Sequence, residues 1–203
     1  MKYFLAFVLL IISSSALFAQ EARTKDGFIS ITLGAALPTG DFADNDLGNN
    51  DAGFAESGIS INLINFGYLF SKNIGITAML QGAAFPIDNG NGGNNPIWSY
   101  GTFMIGPLFT IRNNDSKAEF DFRLMLGTMS GLLDPNDGGE TFEGEGGAIG
   151  LGAGIRYNLS DLIALTSNLD IIGGKPEFDL NGNTFDQSMS SANLTFGIAF
   201  RLN

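Results

Sequence analysis

The chain has 203 residues, with 28 glycines, 18 phenylalanines and only 15% charged side chains, a balance that excludes a disordered or charge-rich helical protein. It contains no cysteine and no histidine. That removes disulfides, thiol chemistry, the usual general base and the commonest transition-metal ligand. The formal charge of −11 is the opposite of a basic nucleic-acid footprint, so no nucleic acid is expected as a partner.

In chain order, Lys2 is followed by an apolar run over 3–12 and by small residues up to Ala19. This is the layout of a secretory signal peptide over 1–19 with cleavage before Gln20, and the run is short for a helical membrane span of about 20 residues. A short N-terminal segment, 20–26, leads into a single domain over 27–203.

Strict alternation then recurs. Over 28–37, Ile29, Ile31, Leu33, Ala35 and Leu37 oppose Ser30, Thr32, Gly34 and Ala36. A side-chain period of two is the mark of a strand with one oily face. A long acidic loop follows from the turn sequence PTGDF to about Asp51. The second strand is expected from near Phe54, with Ile59, Ile61 and Leu63 on one face. Ile64, Phe66, Tyr68 and Phe70 take the opposite parity, which predicts a bulge at Leu63–Ile64. A tight turn at 71–73 gives a third strand with Ile74, Ile76, Ala78 and Leu80 outermost, and then a long loop, DNGNGGNN.

The fourth strand sets Phe103, Ile105, Pro107, Phe109 and Ile111 against Thr102, Met104, Gly106, Leu108 and Thr110. Pro107 cannot donate to a ladder, so a local irregularity is expected there. A turn at 113–115 leads to the fifth strand, where Phe120, Phe122, Leu124 and Leu126 oppose Asp121, Arg123, Met125 and Gly127. A third long loop is expected over 132–147. The sixth strand alternates Ile149, Leu151, Ala153, Ile155 and Tyr157 with Gly150, Gly152, Gly154, Arg156 and Asn158. The seventh sets Ile163, Leu165, Leu169 and Ile171 against Ala164, Thr166, Asn168 and Asp170. A fourth long loop covers about 173–190. The eighth strand carries Leu194, Phe196, Ile198, Phe200 and Leu202 on its apolar face. Long and short connections alternate throughout.

The non-apolar faces hold Gly, Ala, Thr and Asn with a few charges, too few Lys and Glu for the outside of a soluble protein. Small residues suit a cramped interior, which leaves the oily faces to meet hydrocarbon. The fold class expected is therefore all-β: an eight-stranded antiparallel up-and-down transmembrane barrel with short periplasmic turns and long outer loops. Pairing the last strand with the first removes the open edge.

Four sets of residues stand out. Asp121, Arg123, Arg156, Asp170 and Arg201 fall on the interior faces of neighbouring strands. They read as a structural network of ion pairs, or as a polar gate. Tyr68, Phe70, Phe109, Phe120, Tyr157 and Phe200 lie beside short turns, as a periplasmic aromatic girdle would. Four loops carry thirteen acids, among them Asp41, Asp44, Asp46, Asp51, Asp88, Asp134, Asp137, Glu140 and Asp186, against Lys175 alone. Divalent cations are one reading of these, and solvated turn chemistry is the other. Trp98 and Tyr100, at the outer end of the fourth strand, are expected to anchor at the membrane interface, with a ligand-stacking platform as the alternative.

No Ser-His-Asp arrangement can be assembled, and no inward pair of carboxylates stands out for hydrolysis. The chain is read as non-enzymatic, without a cofactor, and as a monomer. A small-solute porin and a soluble periplasmic or secreted binder are the competing readings.

PTGDF after the first strand, FGYLF at the end of the second and IGPLFT in the fourth resemble the OmpA/OmpX-like outer membrane protein beta-barrel domain group of Gram-negative bacteria, often labelled porin family. The resemblance implies residence in the cell outer membrane, contact with its lipid and passage through the outer-membrane assembly machinery. The aromatic near the end of the closing strand resembles the signal that this machinery reads.

Overall fold

The computed structural model describes residues 27–87, 95–112, 116–180 and 183–202. The signal-peptide and 20–26 assignments, Asp88, the turn at 113–115 and Asn203 lie outside them. Eight strands form the barrel: β1 (Gly27–Pro38), β2 (Gly58–Leu69), β3 (Ile74–Pro86), β4 (Ile97–Arg112), β5 (Ala118–Asp134), β6 (Phe142–Asn158), β7 (Ile163–Gly174) and β10 (Met189–Leu202). Each pairs antiparallel with its neighbours in the order β5-β4-β3-β2-β1-β10-β7-β6, and β5 pairs with β6 to close the ring. The seam runs in unbroken register from Gly27 opposite Leu202 to Pro38 opposite Ser191. No barrel strand keeps an open edge, the condition for crossing hydrocarbon with strands.

Side chains alternate as the sequence requires. Ile31, Leu33, Phe103, Leu126, Leu151 and Phe196 are each half exposed or more, whereas Thr32, Met104, Met125, Asn168 and Asn193 are buried. A soluble protein would not leave this continuous ring of large apolar side chains uncovered. It is a lipid belt, and the protein is a membrane-spanning barrel.

The irregularities have local causes. Gln81 pairs with Asn62 and Leu80 with Ile64, so Leu63 is the extra residue of a bulge, and the outward parity changes there. Pro107 pairs with Ile76 on β3. Towards β5 the ladder is interrupted between Ile105–Leu126 and Leu108–Arg123 without a register shift, as a missing N–H dictates.

Three expected boundaries are corrected. β2 starts at Gly58 and not near Phe54, because Phe54 takes a φ of 53° and Gly53, Phe54 and Ala55 donate backbone bonds to Asp41, Asp44 and Phe42 of the first loop. The third long loop is mostly strand: β5 and β6 stay paired from Ala118–Tyr157 to Leu133–Phe142, leaving only 135–141 as the tip. The fourth loop contains a hairpin of β8 (Glu177–Leu180) and β9 (Asn183–Asp186), with β8 paired to β6.

Candidate functional site

The inward side chains of the described residues fall into three zones along the barrel. Nearest the short turns lies the charged zone. Arg156 donates Nε to Asp121 Oδ2 at 2.6 Å and Nη2 to Asp121 Oδ1 at 2.9 Å, a forked pair. Thr110 Oγ1 donates to the same carboxylate at 2.6 Å. Arg156 Nη2 also meets Glu119 Oε2 at 3.0 Å, and Arg201 Nη2 lies 3.5 Å from Glu119 Oε1. The Arg156 guanidinium sits 3.8 Å over the Phe28 ring, and Phe28 packs in a small buried cluster with Leu69 and Leu108.

In the middle zone Arg123 Nη2 donates to Asp170 Oδ1 at 2.9 Å and to Asn168 Oδ1 at 3.1 Å. The inward glycines of β6 make room for this pair: a Cβ on Gly152 would collide with the Asp170 carboxylate and reach 2.8 Å from Arg123 Nε. Arg123 Nε and Nη1, Asp170 Oδ2 and Asn168 Nδ2 are buried without a partner among the described residues.

The five expected network residues thus all face inward, in two groups. Asp121, Arg156 and Arg201 join one group through Glu119, and Arg123 and Asp170 form the other. Among the described residues, the acids Glu119, Asp121 and Asp170 are paired with the arginines Arg123, Arg156 and Arg201. Glu119 is the member that sequence reasoning missed. Glu119 shares Arg156 with Asp121. Both carboxylates are buried and held by Arg156.

The outer zone is apolar. Met79, Met104, Met125, Met129 and Met189 are all inside, with Phe85, Trp98 and Tyr100. Methionine fills irregular space well. Loops finish the closure: Phe42, on the 3₁₀ turn Gly40–Ala43, lies 5.1 Å from Phe85 and 6.3 Å from Trp98. Phe178 of β8 lies 5.6 Å from Trp98 and stacks on Phe185 at 5.3 Å. The glycines of β5 and β6 at 131 and 144 leave the space that Phe178 occupies.

Trp98 and Tyr100 are therefore neither interfacial anchors nor an exposed platform. They are 5% and 3% exposed, share the inward parity of Thr102 and Met104, and spend their polar atoms inside. Trp98 Nε1 donates to Gly53 O at 2.8 Å, and Tyr100 Oη bonds Ser191 Oγ at 2.6 Å. Trp98 is the only tryptophan, so its emission is expected to be blue-shifted and to resist acrylamide. Free quenching in the folded protein would contradict its burial.

The girdle residues Tyr68, Phe70, Phe109, Phe120, Tyr157 and Phe200 all point outward at the short-turn end, each 44–56% exposed. On β10, Leu194, Phe196, Ile198, Phe200 and Leu202 face outward, and their inward neighbours Asn193 and Thr195 are buried.

Some of the outer acids serve their own turns. Asp46, Asp134 and Asp137 each accept a backbone N–H two residues on, the usual work of Asp in loops. Among the described residues no three acids converge as a metal site would require. Asp44 is held below the ordinary carboxylate pKa, first by Asn49 Nδ2 at 2.7 Å and then by the backbone N–H of Asp46. A depressed folded value means the tie holds above the ordinary Asp range and is lost as pH falls through the lowered value. Asn49→Ala is expected to return the Asp44 midpoint towards its ordinary value, read by NMR titration of the carboxyl carbon. An unchanged midpoint would exclude this tie as the cause.

No protein-family model and no curated protein matches the sequence. Solved structures do. Neisserial surface protein A aligns over 90% of this chain and 100% of its own, with a TM-score of 0.58 at 11% identity. Ail, the attachment invasion locus protein of Yersinia pestis, aligns over 87% and 99%, with 0.48 at 14%. OprG, an outer membrane protein of Pseudomonas aeruginosa, aligns over 90% and 98%, with 0.47 at 14%. The first likeness carries the fold, that of a small outer-membrane barrel, and the lipid belt shows that the barrel spans a bilayer. The protein is an outer-membrane barrel.

Proposed function

We propose that the protein is a non-enzymatic surface protein that acts through its outer loops, in envelope structure, adhesion or partner binding, with its lumen plugged by side chains. The observation that carries this reading is the packing of the interior: methionines and aromatics cluster in the outer part, and buried ion pairs lie below them. The loops and the β8–β9 hairpin are then what the barrel presents to its surroundings. Neisserial surface protein A is a surface protein by name, which fits the same role.

In this reading the buried charges pin strand register, the outward aromatics at the short-turn end form the periplasmic girdle, and the chain is monomeric. Phe200 on the closing strand is engaged by the assembly machinery. Phe200→Asp is expected to block membrane assembly, checked by surface display in cells. Normal display would count against it.

The second reading, passage of a small solute, draws on the unpartnered polar atoms of Arg123, Asn168 and Asp170. Planar-bilayer recording of the refolded protein separates the two. The plugged barrel is expected to give no reproducible conductance. A channel whose conductance changes when Arg123 or Arg156 is altered would overturn the loop-based reading.

A further inference from the structure

One feature of the lipid-facing surface departs from the rest of the belt. At the long-loop end, Ile59 on β2, Ala84 and Pro86 on β3, and Ile97 on β4 share the outward parity and line an apolar groove of about 340 Å³. That volume is at the lower end of the range of about 300–1,000 Å³ for small-molecule sites. The belt is also bare of side chains next to the groove. Below Ala84, Gly82 stands directly opposite Gly101, and a Cβ built on Gly101 meets nothing within 4 Å. The bare backbone ends at Leu80 and Phe103, a directly paired couple that again projects outward.

We propose that this groove is a binding site for one acyl chain of an outer-leaflet lipid. The groove is continuous with the lipid belt, so hydrocarbon is the medium that reaches it. Ala84 in the groove, and the bare backbone of Gly82 and Gly101 that continues below it, let a chain lie against backbone, the close approach that small residues permit inside membranes. Ile59, 65% exposed, walls one side of the groove, and the Leu80–Phe103 pair ends the bare strip below it. A chain seated there exchanges mobile contacts with neighbouring lipids for fixed ones with the protein, so it leaves more slowly than the chains around the belt.

The test is native mass spectrometry of the full barrel released from nanodiscs of 1-palmitoyl-2-oleoyl phosphatidylcholine. The wild-type protein is expected to keep one lipid at activation energies that strip the others. Ala84→Trp fills the groove and is expected to lower the retained fraction at least fivefold. Ala153→Trp, outward on β6 and remote from the groove, is expected to retain lipid as the wild type does. Gly101→Leu puts its side chain into open space and keeps the test decisive should Ala84→Trp not fold. Heat-modifiable gel mobility verifies folding in each case. No lipid retained by the wild type, or equal retention by the wild type and the groove-filling variants, would overturn the proposal.

Discussion

Asp170→Leu is expected to destabilise the barrel by about 3–5 kcal/mol, the usual cost of leaving a buried charge without its partner. The side chains of Arg123 and Asp170 are 0% and 1% exposed, so solvent cannot take over. The guanidinium keeps Asn168 Oδ1 at 3.1 Å, a neutral acceptor that cannot replace a carboxylate. Arg123→Leu combined with Asp170→Leu removes both charges and is expected to recover most of the loss, because an apolar pair of similar size avoids the desolvation penalty. Urea unfolding in lipid vesicles, followed by Trp98 emission, measures both variants. If the double variant is no more stable than the single, the pair is not the isolated buried couple described here.

The second large effect concerns the belt. Phe196 lies near the middle of β10, flanked by Leu33 on β1 and Ser167 on β7, and is 59% exposed to the surroundings. Phe196→Arg places a cation on the lipid side at mid-strand, which costs about 2–4 kcal/mol near the bilayer midplane. Refolding yield into vesicles, scored by heat-modifiable mobility, is expected to fall sharply. Leu47→Arg is the control: Leu47 is 91% exposed in the first outer loop, and the same change there should alter stability by no more than about 0.5 kcal/mol. Equal tolerance at both positions would remove the distinction between a surface in lipid and a surface in water.

The barrel was legible because hydrocarbon and a narrow lumen each select a side-chain type, and a strand exposes the two choices alternately. Leu63 shows how far that goes, since a parity change in the sequence located a bulge at Leu63–Ile64, and Leu63 is its extra residue. The pattern faded where lipid ends. On the outward faces of β5 and β6 above the belt stand Thr128, Ser130, Glu143 and Glu145, because water rewards no apolar residue there, and paired strand was mistaken for loop.

The interior was legible from parity alone, and its two misreadings came from not extending parity far enough. Glu119 lies two residues before Asp121 on the same face. Trp98 and Tyr100 have the even numbering of Thr102 and Met104, yet their aromatic character suggested an interface. The contacts of Phe42 and Phe178 with Trp98 had no local signal. They join loops that are distant in sequence, and four-residue strands such as β8 and β9 are too short to show a period.

The claim on which everything else depends is that the outward face of the closed barrel lies in hydrocarbon. The chain contains no cysteine, so single cysteines at Leu194, Phe196 and Ile198 can each carry a unique nitroxide, with Thr184 on the β8–β9 hairpin as the aqueous reference. Power-saturation electron paramagnetic resonance in bilayers then compares collision with oxygen, which concentrates in lipid, against a water-soluble nickel chelate. The three β10 positions are expected to be reached by oxygen and shielded from nickel, with Phe196 the most shielded and Thr184 showing the reverse. Nickel access at Phe196 comparable to that at Thr184 would contradict a membrane-spanning barrel.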